Sequence, residues 1–515
     1  MSTTLTDQDK LTLRTAAYGA VSLLAAAGAA GKPHKIATAG SVALASATGL
    51  VGHVLADGST GVDLKGKSVA GIADQVLPAL TAAMTLLHEK APAEVGNFRT
   101  TVLVALDAAL LHQDRPSPTL AEMTRKITAA LDAAATDSRS APEAAAGQER
   151  PELQKAIDEI VDYGFTGITL RVHDERGQWA GSAGVAELGG TAKPPIDGHV
   201  RIGSNTKTFT ATLVLQLVGE GKIELDTPAA AYLTEFELDP RITVRMLLQH
   251  TSGVFNFTGE YYEDGTMVAG IPSTVAGKEW VDNRFHTYRP EELVRLALSE
   301  PARFEPGAGW SYSNTNYVLA RLLIERVTGN SFADELRRLI TGPLGLSGTS
   351  APTTETEIAE PHAHAYYRYE DAGQEQTVDV TRHNPSWIST GGDMISTTQD
   401  LHLFIAALMD GTLLPAPLLA EMCTPRPTGI PNMDYGLGVF VQKTEYGTVI
   451  THNGGAAGHG ALMYSTLDGS KTMTGALNYV DDAALSLSAA FQKTQQLLVQ
   501  EVFGGGQAEA SDGRP

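Results

Sequence analysis

Cysteine is almost missing from this 515-residue chain, where Cys423 stands alone. A single thiol excludes an internal disulfide framework and any thiolate metal cluster. Positive charge is also scarce: 38 Lys and Arg face 59 Asp and Glu, a formal net charge of −21 at pH 7. The deficit is uneven. Residues 1–150 hold 13 basic and 14 acidic side chains, and the remainder holds 25 and 45. Such a field repels nucleic acid and anionic membrane surfaces while keeping the protein soluble. No Gly-x-Ser-x-Gly elbow occurs, which argues against an α/β-hydrolase. No internal repeat is found.

What is present is globular in composition, 43% hydrophobic and 19% charged. The length asks for two or three domains. Residues 1–135 are Ala-rich and read as an all-α accessory domain. Two apolar stretches, Ala16–Ala30 and Ile36–Ala56, flank a Gly31-Lys32-Pro33-His34-Lys35 turn. The second has 21 residues and no Asp, Glu, Lys or Arg, enough to span a bilayer. It is mostly Ala, Gly, Ser and Thr, which partition weakly into hydrocarbon, so a soluble bundle is favoured over membrane association. Asp7 and Asp9 offset Lys10 and Arg14, which denies the N-terminus the positive start of a secretory signal. A cytoplasmic location is therefore favoured over export or membrane attachment through residues 16–56. Further helices are expected near Ile72–Glu89, Phe98–His112 and Leu120–Ala134, the last opened by a capping box of Thr119 and Glu122. Gly61–Ser68 matches the P-loop spacing, but a polar loop precedes it instead of a buried strand, so nucleotide binding is disfavoured.

Residues 136–150, rich in Ala, Ser, Gly and Pro, read as a linker. Periodic structure resumes over 151–503. Leu153, Ile157, Ile160 and Val161 share one helical face. Strands Gly167–His173 and Gln178–Gly184 flank a hairpin turn at Asp174-Glu175-Arg176-Gly177. A helical section runs from about Ser204 to Leu346. Strands return at Tyr446–His452, Gly460–Ser465 and Thr472–Val480, the last two joined across Asp468-Gly469. A closing helix spans about Ala483–Val502, and 504–515 read as a disordered tail. Strands at both ends with helices between predict an α+β fold: one antiparallel sheet closed by its first and last segments, flanked by helices, with an all-helical subdomain.

Three short segments carry chemistry. In Gly203-Ser204-Asn205-Thr206-Lys207 a serine and a lysine stand three apart, on one face of a helix that starts at Ser204. A serine hydroxyl needs a neighbouring base. Phe209, Leu213, Leu217 and Val218 would drive this helix into a core, and burial lowers a lysine pKa toward the range of a neutral amine. In Tyr312-Ser313-Asn314, residues two apart project to one side, which sends a phenol and a carboxamide into the same cleft. In His452-Asn453-Gly454-Gly455, glycines at a strand end let a substrate backbone approach, and the Gly455 N–H can join that of Ser204 as an oxyanion hole. Taken singly, each is explained by a helix start, an N-cap or a turn. His362-Ala363-His364 has ligand-like spacing but no carboxylate-and-histidine partner set, so it reads as a strand edge and no metal is expected.

In this order the three segments resemble the signature of the penicillin-recognising serine enzymes, whose opening motif is Ser-x-x-Lys. The match is closest to the class C β-lactamase and D-alanyl-D-alanine carboxypeptidase branch, with its Tyr-x-Asn second motif. It extends over about 152–503 and includes His250-Thr251-Ser252-Gly253, Trp387 to Leu401 and Tyr435-Gly436-Leu437-Gly438. The resemblance implies that Ser204 is acylated and that Lys207 and Tyr312 share the acid–base work. It also implies that Asn314, His452, Asn453, Gly454 and Gly455 bind substrate, that Trp387 lines the cleft, and that no cofactor is needed.

The sequence departs from the carboxypeptidase at its third motif, where Asn453 and Gly455 replace threonines, and after Tyr435, where no arginine awaits a substrate carboxylate. The expected function is an acyl-enzyme serine hydrolase, most like a D-alanyl-D-alanine carboxypeptidase or related D-amino-acid peptidase. An esterase, a β-lactamase or a non-turnover penicillin-binding sensor is the alternative. Its partner is a small molecule or peptide: a D-amino-acid peptide, a β-lactam or an ester.

Overall fold

A computed structural model describes residues 5–27, 33–45, 49–56, 69–91, 94–110, part of 120–131, and 150–504 except 263–265 and 272–276. The chain divides into two compact units, Met1–Ala146 and Gly147–Pro515. The P-loop pattern, residues 136–149 of the expected linker and the tail beyond Gly504 lie outside the described residues.

The first unit is helical. Its described helices are α1 (Asp7–Ala27), α2 (Pro33–Ala45), α3 (Gly49–Ala56), α4 (Val69–Lys90) and α5 (Val95–Leu110); residues 120–131 are helical where described. Ala17, Ala20 and Leu24 of α1 are fully buried, as are Val76, Leu80 and Ala83 of α4 and Phe98 and Val102 of α5. Small alanines let these helices approach closely. The C-terminus of α3 is tied to α1, where Arg14 Nε donates to Val54 O at 2.7 Å and Tyr18 Oη to Leu55 O at 2.9 Å. Ile36–Ala56 falls on two helices of 13 and 8 residues. Among the described residues, no helix is long and apolar enough to cross a membrane.

The second unit is built on an eight-stranded antiparallel sheet. Its strands are β1 (Gly167–Asp174), β2 (Gly177–Gly184), β3 (Arg426–Ile430), β4 (Met433–Tyr435), β5 (Phe440–Thr444), β6 (Gly447–Ala456), β7 (His459–Thr466) and β8 (Thr472–Asn478), in the order β2-β1-β8-β7-β6-β5-β4-β3. The expected hairpin forms with Asp174 opposite Gly177. The first segment closes on the last, with Gly167 opposite Asn478. The strand expected to reach Val480 ends instead at Asn478, and Val480–Asp482 turns away to pair in parallel with Tyr366–Arg368. The last helix also starts later than expected, at Ser488.

Side chains alternate across the sheet. Leu462, Tyr464 and Leu477 face helices α6 (Pro151–Asp162) and α10 (Ser488–Phe503), where Leu153, Ile157 and Leu498 are buried. Ala461, Met463 and Ile450 face the larger core of α7 (Thr206–Gly219), α8 (Asn314–Thr328) and α9 (Thr398–Met409). Helix α7 is buried nearly all round, as expected of a helix threaded through a core. Phe209 stacks on Phe404 of α9 with ring centroids 3.6 Å apart. Burying a ring of this size stabilises by about 1.5–3 kcal/mol, and it fixes the helix that carries Lys207.

Candidate active site

Ser204 lies on a tight 3-10 turn, Gly203–Asn205, that feeds directly into α7. Gly203 has φ +50, and a Cβ there would sit 2.5 Å from Gly455 N. Opposite it, a Cβ on Gly454 would fall 1.9 Å from Ile202 O and 2.6 Å from Ser204 N. Two glycines therefore let strand β6 press against the serine turn, which brings the backbones of Ser204 and Gly455 together. Both residues line an open cleft of roughly 400 Å³, with Asn314, Trp387 and Gly391 also in its walls.

Lys207 is completely buried one turn further on. Its Nζ lies 3.1 Å from Ser204 Oγ, 2.7 Å from Asn314 Oδ1 and 2.5 Å from Gly391 O. Burial holds its pKa well below that of an ordinary lysine, with partial opposition from the Asp393 charge. A neutral amine has two N–H donors and one lone pair. In that form the two carbonyl oxygens would take the donors, and the lone pair would be left for the Ser204 hydroxyl.

Asn314 is held rigidly for this contact. Its Nδ2 donates to Thr258 Oγ1 at 3.0 Å, and its backbone N–H donates to Asn256 Oδ1 at 3.0 Å. The side-chain oxygen thereby faces Lys207. Asn314 opens helix α8, and Tyr312 precedes it on extended chain. The two side chains converge as their spacing predicts: Tyr312 shares a hydrogen bond with Ser204, and burial pushes its phenol pKa above the ordinary value. At neutral pH the phenol keeps its proton.

The third motif is placed differently from the expectation. His452 is 1% exposed and does not line the cleft, with Nε2 3.2 Å from Tyr435 Oη. Burial and the nearby Lys207 lower its pKa to about 3, so it is neutral. Asn453 points to the other side of the sheet, where its Nδ2 donates to Tyr464 Oη at 2.8 Å. Strand alternation sends its side chain away from the cleft, and only the glycine backbone of this motif lines it.

Two residues were missed by sequence reasoning. Asp393 has a side chain 2% exposed, with Oδ2 3.8 Å from Arg321 Nη1 and Oδ1 without a hydrogen-bond partner. Burial pushes its pKa up to about 7, and the Arg321 and Lys207 charges oppose that rise. His250, part of the quoted His-Thr-Ser-Gly run, packs its ring 4.4 Å from that of Tyr312. Its Nδ1 accepts the Ser313 N–H at 3.2 Å, which holds the segment bearing Tyr312. His362 and His364 have rings 5.4 Å apart; among the described residues no cluster suited to a metal ion occurs.

Residues 153–492 match the protein-family model described as Beta-lactamase. Penicillin-binding protein 4* of Bacillus subtilis is 25% identical over 348 residues, 65% of this chain and 73% of that protein. The chain spans about half the length, or less, of other curated relatives it matches. Among solved structures, a D-stereospecific amidohydrolase from Streptomyces sp. is 36% identical with a TM-score of 0.58, over 67% of this chain and 98% of that one. A D-amino acid amidase from Ochrobactrum anthropi SV3, solved with D-phenylalanine, is 26% identical with a TM-score of 0.58, over 68% and 97%.

Proposed function

The chain belongs to the β-lactamase family of serine hydrolases, and we propose that it works through an acyl-enzyme on Ser204 with D-amino-acid amides or peptides as substrates. The observation that carries the reading is the 3.1 Å approach of a fully buried lysine amine to the Ser204 hydroxyl. Lys207 takes the serine proton as Oγ attacks the scissile carbonyl. The N–H groups of Ser204 and Gly455 stabilise the oxyanion. Tyr312 gives its proton to the leaving amine and recovers one from Lys207, which holds the proton taken from Ser204. Water then hydrolyses the ester along the reverse path.

Two observations favour an amidohydrolase over a carboxypeptidase. His452 is buried and neutral, so it offers no charge to a terminal carboxylate. Asn453 turns its polar group to the far side of the sheet. The likeness to a D-stereospecific amidohydrolase supports the same substrate class.

The test is labelling and turnover together. The wild-type protein should be labelled by a fluorophosphonate and should release p-nitroaniline repeatedly from D-phenylalanine p-nitroanilide; Ser204→Ala should do neither. Labelling retained in Ser204→Ala would remove the nucleophile assignment. Stoichiometric labelling by a fluorescent penicillin without any turnover would mark a sensor instead of an enzyme.

A further inference from the structure

Acyl transfer does not use every polar group in the cleft that holds Ser204. Asp481 also lines it. This aspartate sits on the short strand Val480–Asp482, opposite Tyr367. Its neighbour Asp482 is engaged: Arg368 Nη2 lies 2.6 Å from Asp482 Oδ2, and Ser486 Oγ donates to the same oxygen at 2.7 Å. Asp481 has no such cation. Its carboxylate is held by two backbone donors, the N–H of Asp482 at 2.9 Å and the N–H of Gly458. Among the described residues no lysine, arginine or histidine forms an ion pair with it. Burial pushes its carboxyl above the usual range, a cost that an incoming positive charge would offset.

The surroundings suit such a charge. Trp280, Tyr367 and Trp387 stand in the same cleft with Ile388 and Leu485, and aromatic faces attract cations as carboxylates do. Arg201, also in the wall, is 1% exposed and donates from its guanidinium to the carbonyls of Thr356, Thr381 and His383. The amine cannot lie far from the reacting carbon. Gly455, beside the Ser204 turn, and Gly458, which donates to Asp481, are three residues apart. At about 3.3–3.6 Å per residue they are separated by no more than roughly 10 Å. A free amino terminus one residue beyond the one that acylates Ser204 falls within that reach.

We propose that Asp481 is a specificity residue that binds the free N-terminal ammonium of a short D-amino-acid peptide, one residue beyond the one that acylates Ser204, with the aromatic walls holding its apolar side chain. This rests on Ser204 being the nucleophile, and the two ideas fail separately. The experiment compares kcat/KM for glycyl-D-phenylalanine p-nitroanilide and its N-acetyl form, in which acetylation removes the charge and adds one acetyl group. Wild type should prefer the free amine by about ten- to a hundredfold, the range for one hydrogen bond to a charged group. In Asp481→Asn the ratio of the two should collapse toward one. The ratio is read within each protein, so a general loss of activity in the variant does not imitate the result. A wild-type enzyme indifferent to acetylation, or one that cleaves p-nitrophenyl acetate but not the free-amine peptide, overturns the proposal with no variant needed. A discrimination that survives in Asp481→Asn overturns it as well. Failure of the nucleophile assignment would instead appear as p-nitrophenyl acetate hydrolysis persisting in Ser204→Ala.

Discussion

The amine of Lys207 lies 4.7 Å from the centroid of the Tyr312 ring, so base and phenol occupy one buried compartment around Ser204. Burial moves their pKa values apart: the amine loses its proton more readily, and the phenol holds its proton more firmly. The pair is thereby divided into an acceptor and a donor at the same pH.

That division predicts the effect of Tyr312→Phe. An amide's leaving nitrogen must be protonated, whereas p-nitrophenolate departs without help. Amide turnover should fall by about two to four orders of magnitude, the usual contribution of a positioned acid, and acylation by a p-nitrophenyl ester should fall far less. Stopped-flow acylation with both substrates measures the split. Equal losses would take Tyr312 out of leaving-group departure.

Lys207 should tolerate no basic substitute. Arginine keeps its proton at every accessible pH, so Lys207→Arg cannot accept one from Ser204, and Lys207→Ala leaves no base. Both should slow acylation by about two to four orders of magnitude. A rate for the arginine variant near that of wild type would mean that the residue acts only as a positive charge.

Asp393 sets a pH dependence. Only the unprotonated Lys207 can act as base, so the rate rises as pH climbs through its lowered pKa. The carboxylate of Asp393 opposes burial and holds the proton on Lys207; Arg321 and Glu325 also bear on that carboxylate. Asp393 is itself ionised only above about pH 7, so Asp393→Asn removes the anion there, lowers the Lys207 pKa further and should move the part of the acid limb above that pH to lower pH. The kcat/KM profile of the variant between pH 4 and 9, taken at about half-unit steps, checks this. A limb that stays in place, or moves to higher pH, would show that Asp393 does not act through the lysine.

How much of this was legible in the sequence depends on how local each signal was. The β1–β2 hairpin and the β7–β8 connection were readable because Asp174–Gly177 and Asp468-Gly469 are turn sequences between alternating strands. The Ser204–Lys207 pair was readable because a helix brings residues three apart together whatever surrounds it. The role of Asn453 was misjudged for an equally local reason: in a strand that continues through Ala456, its side chain must face opposite to that of His452. Asp393 and Asp481 were invisible because no spacing marks them. Each enters the site only when a distant loop or strand is laid beside it by the tertiary fold. The P-loop spacing at Gly61–Ser68 lies outside the described residues, and its reading remains that of the sequence alone.

Neighbouring glycines in β6 should respond in opposite ways to alanine. A Cβ on Gly454 would fall 1.9 Å from Ile202 O, and backbone on backbone leaves no flexible group to yield. Gly454→Ala must push β6 off the serine turn, at a cost of about 1–3 kcal/mol or more, and it should lose fluorophosphonate labelling along with the displaced Ser204 N–H. A Cβ on Gly455 meets nothing closer than 3.8 Å, so Gly455→Ala should unfold within about 0.5 kcal/mol of wild type. Urea denaturation of both variants, with labelling rates measured in parallel, separates the two. If Gly454→Ala proved as stable and as reactive as wild type, the strand and the serine turn would not be in contact, and the oxyanion site built from Ser204 and Gly455 would have to be abandoned.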